Sequence, residues 1–211
     1  MAVRQSEYLD ETEFNLRGEV VELGNVSRTR LRAFATGRTL AYQALESLGE
    51  PNLKILRGTN GEPLWPTGYV GSITHKSGSC IAVAATTRLV SGLGIDLETD
   101  EPLDAQLWRK LANAAELDQS AIYPDLSIGN FVNVLFSAKE SVFKCQSLVT
   151  GRHDLNHRQI CLTFARRSQS FTGQIVVAPE DSARLDVLVI QGKFLISGGF
   201  VVTSAVLVDR M

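Results

Sequence analysis

The stretch FSAKESVFK, residues 136–144, sets Lys139, Glu140 and Lys144 between phenylalanines. Glu140 and Lys144 form an i, i+4 pair in the favourable order, worth about 0.2–0.5 kcal/mol on an exposed helix with no further role. Upstream, GIDLE (94–98) places Asp96 and Glu98 two residues apart on a strand pattern. Period-two geometry turns both carboxylates to one face and Ile95 and Leu97 to the other. Like charges so placed repel unless a cation joins them. Two hard oxygen ligands suit Mg²⁺, with water and phosphate oxygens completing an octahedron. A solvated helix face and a solvated edge strand satisfy the same two patterns. Phe136 and Phe143, bordering the polar face of the helix, favour a partly dry cleft instead.

A cationic set accompanies the acidic one. His75 lies in SITHKSGS, with Ser72, Thr74 and Lys76 beside it, a plausible anion-binding corner. Arg30, Arg38 and Arg57 lie upstream, and guanidinium groups suit phosphate. Arg38 interrupts an apolar helical stripe, so it must either snorkel outward or meet a buried anion. Carboxylates next to such cations have the composition of a Mg²⁺-assisted phosphoryl-transfer site. No Walker sequence, no GxGxxG and no nucleophile elbow is present. Cys80, among Ile, Ala and Val, reads as a packed thiol.

These residues need elements to hold them. Helical spacing of Leu31, Phe34, Ala35, Ala41, Tyr42, Leu45 and Leu48 predicts a helix over 28–48, stopped by Gly49 and Pro51. GTNGEPLWPTGYVG (58–71) is a shaped loop. SITH, the β-rich run CIAVAATT, a turn at LVSG and a strand at LGIDLE together suggest an antiparallel hairpin. Further helices are predicted over 104–119 and 130–149. In the last of these, Phe131, Val134, Leu135, Ala138, Val142, Cys145 and Val149 make the apolar side, opposite Asn133, Ser137, Glu140, Lys144 and Ser147. Strands follow at QICLTFA, SFTGQIVV, RLDVLVI and KFLISGGFVVTSAVLV. The expectation is an α+β protein of two similar-sized lobes, 1–103 and 104–211, with the break near 101–105.

A chain of 211 residues with 44% hydrophobic content can fill such cores. A net charge of −2 offers no overall attraction to nucleic acid or to anionic membranes, so any anion site must be local. Three widely spaced cysteines, Cys80, Cys145 and Cys161, form no metal pattern and suit a reducing compartment. The N-terminus MAVRQSEYLDE lacks a signal-peptide core, and the apolar run from Phe194 to Val208 is too short and Gly-broken to span a bilayer. The expected location is the cytoplasm.

The segments GEPLWPTGYVGSITH (61–75), GIDLE (94–98) and FSAKESVFK (136–144), in that order, resemble the 4′-phosphopantetheinyl transferases of the Sfp type, in particular the group that includes the enterobactin synthase component EntD. RTRLRAFATGR and ILRG resemble that group's arginine-bearing segments. The resemblance implies two α+β lobes, mainly antiparallel, related by a pseudo-twofold, with coenzyme A in a groove between them. It implies transfer of phosphopantetheine from coenzyme A to a serine of an apo carrier protein, with release of 3′,5′-ADP. By the family pattern Asp96, Glu98 and Glu140 hold Mg²⁺, and Glu140 is the candidate base for the serine proton. Lys144, with Lys139 assisting, neutralises phosphate charge, and Asp96 completes the catalytic set. Thr74 and His75 contact the coenzyme A phosphates, and Arg30, Arg38 and Arg57 clasp the nucleotide end. Asp96 and Glu98 are expected from the first lobe, Glu140 and Lys144 from the second. A monomer suffices for such a fold. The carrier is expected to serve siderophore-type nonribosomal peptide synthesis, with fatty-acid or polyketide carriers as the alternative.

Overall fold

A computed structural model describes residues 1–14, 26–165, 168–176 and 189–207. The chain divides into two compact units, Met1–Val90 and Ser91–Met211, each a long helix packed on an antiparallel sheet. The α+β class expected from the sequence is the class observed.

The first unit contains β1 (Ala2–Glu7), α1 (Arg28–Glu46), the short pair β2 (Leu56–Arg57) and β3 (Pro63–Leu64), β4 (Tyr69–Lys76) and β5 (Ser79–Thr86). The sheet order is β1-β5-β4, with Ile73 opposite Ala82 and His75 opposite Cys80. Ser77 and Gly78 take positive φ (48° and 86°) between β4 and β5. Both central residues of this two-residue turn are left-handed, which matches the twist of the flanking strands. Ser27 caps α1 by accepting a hydrogen bond from the Arg30 N–H at 3.3 Å. The helix buries Leu40, Ala41, Tyr42 and Leu45 in a core shared with Ile55, Cys80, Ala82 and Ala84.

The second unit contains β6 (Gly92–Thr99), α2 (Ala105–Leu111), α3 (Ala114–Asp118), α4 (Ile128–Thr150), β7 (Ile160–Ala165), β8 (Ser170–Ile175), β9 (Ile190–Ser197) and β10 (Phe200–Leu207). The sheet order is β6-β10-β9-β8-β7. Strands β7, β9 and β10 alternate buried residues with half-buried or exposed ones, as a sheet with one covered face requires. Their inward residues meet Phe131, Val134, Leu135, Ala138 and Val142 of α4. Tyr123, Phe131, Phe164 and Phe194 form edge-to-face and stacked pairs with ring centroids 5.3–6.2 Å apart. The strand read at RLDVLVI falls mostly outside the described residues. Among the described residues, no helix is long and apolar enough to cross a membrane.

Three sequence expectations change here. The turn at LVSG is present, but it closes no hairpin between CIAVAATT and LGIDLE. Strand β6 pairs instead with β10, Asp96 opposite Thr203, more than a hundred residues downstream. The contact boundary therefore falls after Val90 rather than near 101–105, and Asp96 and Glu98 belong to the second unit with Glu140 and Lys144. The helix read over 104–119 is two helices. Asn113 and Glu116 form a reciprocal capping box, each side chain bonding the other's backbone N–H, which starts a new helix at Ala114. Finally, the polar side of α4 is not an open face. Asn133 donates to the Thr99 carbonyl at 2.7 Å, and Ser137 hydrogen-bonds the Thr203 hydroxyl at 3.0 Å, both buried.

Candidate active site

Asp96 of β6 and Lys144 of α4 meet where the strand crosses the helix. The sequence GLGIDLE (92–98) places Gly92, Gly94, Asp96 and Glu98 on one face of β6. That face is turned to the helix. A Cβ on Gly94 would lie 1.9 Å from the Ser141 carbonyl oxygen, and one on Gly92 would lie 2.8 Å from the Cys145 carbonyl oxygen. The missing side chains let strand and helix backbones approach closely, and the next two residues on that face are carboxylates. Asp96 is 5% exposed, and its Oδ1 accepts from the Lys144 ammonium at 2.7 Å. Lys144 also donates to the Ile95 carbonyl at 3.1 Å, so one strand holds it at two points. Glu98 is half-buried two residues further along β6.

Glu140 lies one helical turn before Lys144. Its Oε1 is 2.7 Å from Nε2 of His157, which opens a short 3₁₀ turn, His157–Gln159, ahead of β7. The hydrogen bond from His157 is the main cause that holds the Glu140 carboxyl below the ordinary carboxylate range. Burial opposes it, and the charge of Lys144 adds to it. Glu140 is thus held as an ionised acceptor, with the His157 donor on one side and the Lys144 charge nearby.

Lys139 is elsewhere. Its side chain is fully buried, and its three ammonium protons go to the Leu111 carbonyl (2.7 Å), Glu116 Oε2 (2.8 Å) and the His157 carbonyl (2.8 Å). Three donors meet three acceptors, so nothing remains for a ligand phosphate. The expected assisting role of Lys139 is therefore corrected: it is a structural cation under the site. Burial pulls its pKa below the usual lysine value, with Glu116 opposing. Glu116 is satisfied in turn by the Leu162 N–H at 2.9 Å and the Asn113 N–H at 3.0 Å.

The expected metal ligands Asp96, Glu98 and Glu140 all supply hard carboxylate oxygens in one unit. Among the described residues, however, no group of three or more His, Cys, Asp or Glu is gathered closely enough to hold a metal ion. In their place, the Lys144 ammonium sits against Asp96 and the His157 imidazole against Glu140. The carboxylate donors fit a divalent cation in charge and chemistry, and the Lys144 ammonium is the positive charge that one of them, Asp96, meets.

In the first unit, Arg30 is exposed in the first turn of α1, and Arg57 is exposed on β2. Arg38 is 3% exposed: neither snorkelled nor bare, it donates to the Leu56 carbonyl at 3.4 Å and lies 5.2 Å from the centre of the Phe34 ring. Thr74 is buried in β4, and His75 is exposed at its end. His75 Nδ1 is 3.4 Å from the hydroxyl of Tyr8, just beyond β1. His157, Glu116 and Tyr8 were not found from the sequence. Of these only Glu116 carried a local signal, the N-x-x-E capping pattern at 113–116.

Comparison with known proteins decides the family. A profile described as "4′-phosphopantetheinyl transferase N-terminal domain" matches residues 21–85, and one described as "4′-phosphopantetheinyl transferase superfamily" matches residues 92–188. The chain is 34% identical over 192 residues to 4′-phosphopantetheinyl transferase Svp of Streptomyces mobaraensis, covering 87% of this chain and 76% of that one. The chain belongs to the 4′-phosphopantetheinyl transferase superfamily. It is also 32% identical to 4′-phosphopantetheinyl transferase PptT of Mycobacterium tuberculosis, over 84% of this chain and 79% of that protein. Enterobactin synthase component D of Salmonella typhimurium is 30% identical, over 59% of this chain and 52% of its own length. The two profiles meet the chain on either side of the boundary at Val90, so the unit division and the family's own division coincide.

Proposed function

We propose that this transferase moves the 4′-phosphopantetheine group of coenzyme A to a serine of an apo carrier protein, with Mg²⁺, releasing 3′,5′-ADP. The observation that carries the reading is the convergence of Asp96, Glu140 and Lys144 in one unit of a chain belonging to this family. The serine oxygen forms a bond to the β-phosphorus. The bond from that phosphorus to the bridging oxygen breaks, and the electron pair leaves with 3′,5′-ADP. Glu140, kept ionised, accepts the serine proton on a carboxylate oxygen. Lys144 neutralises charge on the phosphate oxygens, and Asp96 holds its ammonium in position. Asp96, Glu98 and Glu140 would hold the Mg²⁺, which supplies charge neutralisation at the diphosphate. Arg30, Arg38, Arg57, Thr74 and His75 are proposed for the nucleotide end of coenzyme A.

A siderophore-type peptidyl or aryl carrier is the proposed acceptor, supported by the enterobactin component D relatives. Purified protein, coenzyme A and Mg²⁺ incubated with a panel of apo carriers, followed by intact mass measurement, tests both levels. A gain of one phosphopantetheine on any carrier is expected, fastest on siderophore carriers. No gain across the panel would overturn the reading, and a preference for fatty-acid or polyketide carriers would overturn the pathway assignment.

A further inference from the structure

We infer that His157 is a positioning residue for Glu140, built into the site by α4 itself. The inference rests on the proposed function, since it gives Glu140 a reason to be held. Three side chains of one helix grip this single residue. Glu140 takes the imidazole Nε2 at 2.7 Å. Phe136, one turn earlier on the same helix face, lies against the ring, with centroids 5.3 Å apart and planes tilted 38°. Lys139 donates to the His157 backbone carbonyl at 2.8 Å from a fully buried ammonium. A further anchor comes from the chain's own turn. Asn156 caps it by accepting from the Arg158 N–H, and its own backbone N–H donates to Gln159 Oε1 at 3.0 Å.

A residue held at its backbone, on its ring face and at its ring nitrogen has little rotamer freedom left. It can therefore fix the rotamer of the carboxylate it touches. With Nε2–H on Oε1, the glutamate is held in one orientation while its charge is kept. Hydrogen-bonding partners of this kind behind a metal-binding or basic carboxylate commonly change metal affinity or activity by about 10–100-fold when removed. The buried Lys139–Glu116 pair then acts at one remove: it fixes the backbone from which His157 reaches Glu140.

The test compares His157→Ala with His157→Gln, whose amide N–H can replace the imidazole donor. Mn²⁺ uptake, followed by loss of the free-ion EPR signal, is read beside turnover and thermal melting. His157→Ala should weaken Mn²⁺ binding and lower turnover by about 10–100-fold, with a small change in melting temperature, and His157→Gln should recover most of both. Wild-type uptake with unchanged binding and turnover in His157→Ala overturns the positioning role alone. Equal loss in Ala and Gln, tracking a fall in melting temperature, overturns it in favour of a packing role. Wild-type protein that takes up no Mn²⁺ and modifies no carrier overturns the proposed function, and this inference with it.

Discussion

Two lysines, five residues apart on α4, make the same bond and do different work. Lys139 meets Glu116 at 2.8 Å and Lys144 meets Asp96 at 2.7 Å. In the first pair the side chains are 0% and 3% exposed, and in the second 28% and 7%. Coulomb attraction is similar at such distances, so water access separates them. A sealed pair has every donor and acceptor matched and cannot be reassigned to a ligand without leaving a bare buried charge. A pair open on the lysine side can exchange its partner when a competing anion or cation arrives. Proximity of opposite charges therefore does not identify a reactive group, and accessibility of the cation is the better guide.

The contrast can be broken at several points, and the largest effect is expected in the sealed pair. Glu116→Ala strands the Lys139 ammonium and should cost about 3–5 kcal/mol in urea unfolding, whereas a joint Lys139→Met, Glu116→Leu replacement should be far milder. If the single substitution costs no more than the double, the pair is not sealed in the sense argued. Lys144→Ala, which leaves the buried Asp96 carboxylate without its ammonium, should cost less in unfolding than Glu116→Ala because the site is open on the lysine side, and should lower transfer turnover by about 10²–10³-fold, the usual loss for a group stabilising charge in the transition state. Gly94→Ala must push β6 from α4, because the new Cβ meets backbone at Ser141. About 1–3 kcal/mol of destabilisation is expected. Turnover should fall through the Lys144–Asp96 contact while the Lys139–Glu116 pair persists, a split visible in lysine side-chain NMR signals.

A pH series gives a smaller effect. The Glu140 carboxyl is held below its ordinary value of 4.5, so the stability it contributes is present above that value and is lost as pH falls through its lower folded value. The melting difference between wild type and Glu140→Gln should be under about 1 kcal/mol and should shrink in acid; growth on acidification would contradict the assignment. The smallest effect reports on the sealed pair. Burial, aided by the Glu116 charge, raises the Cys161 thiol, and burial pushes Cys80 and Cys145 up to about 12. Native alkylation at neutral pH should be slow, with Cys161 first, and should quicken at Cys161 in Glu116→Ala.

Much of this was legible before any coordinates. The apolar spacing of Leu31 to Leu48 placed α1 to within two residues of its observed end. Period two in GIDLE put Asp96 and Glu98 on one face, and Gly92 and Gly94 on that face could have announced a close neighbour. What failed was non-local. Nothing near LGIDLE names β10 as its partner, so adjacency suggested a hairpin and assigned the carboxylates to the wrong unit. Lys139 failed differently. It lies four residues after Leu135 and three before Val142, on the apolar side of the helix, and its pairing with Glu140 in the motif drew attention from that geometry. His157 had no signal, because a loop histidine acquires its role only where the chain returns to α4.

The sealed charge has a consequence for how α4 is seated. At about 1.5 Å of rise and 100° of turn per residue, Lys139 and Lys144 are rigidly geared. Rotating the helix by a fraction of a turn would drag an ammonium ion out of its three-oxygen cradle, so intermediate settings are penalised and only one survives. The transferase thereby obtains angular accuracy for Glu140 and Lys144 from a residue whose three donors are all spent within the chain, much as a keyed shaft sets the gear it carries.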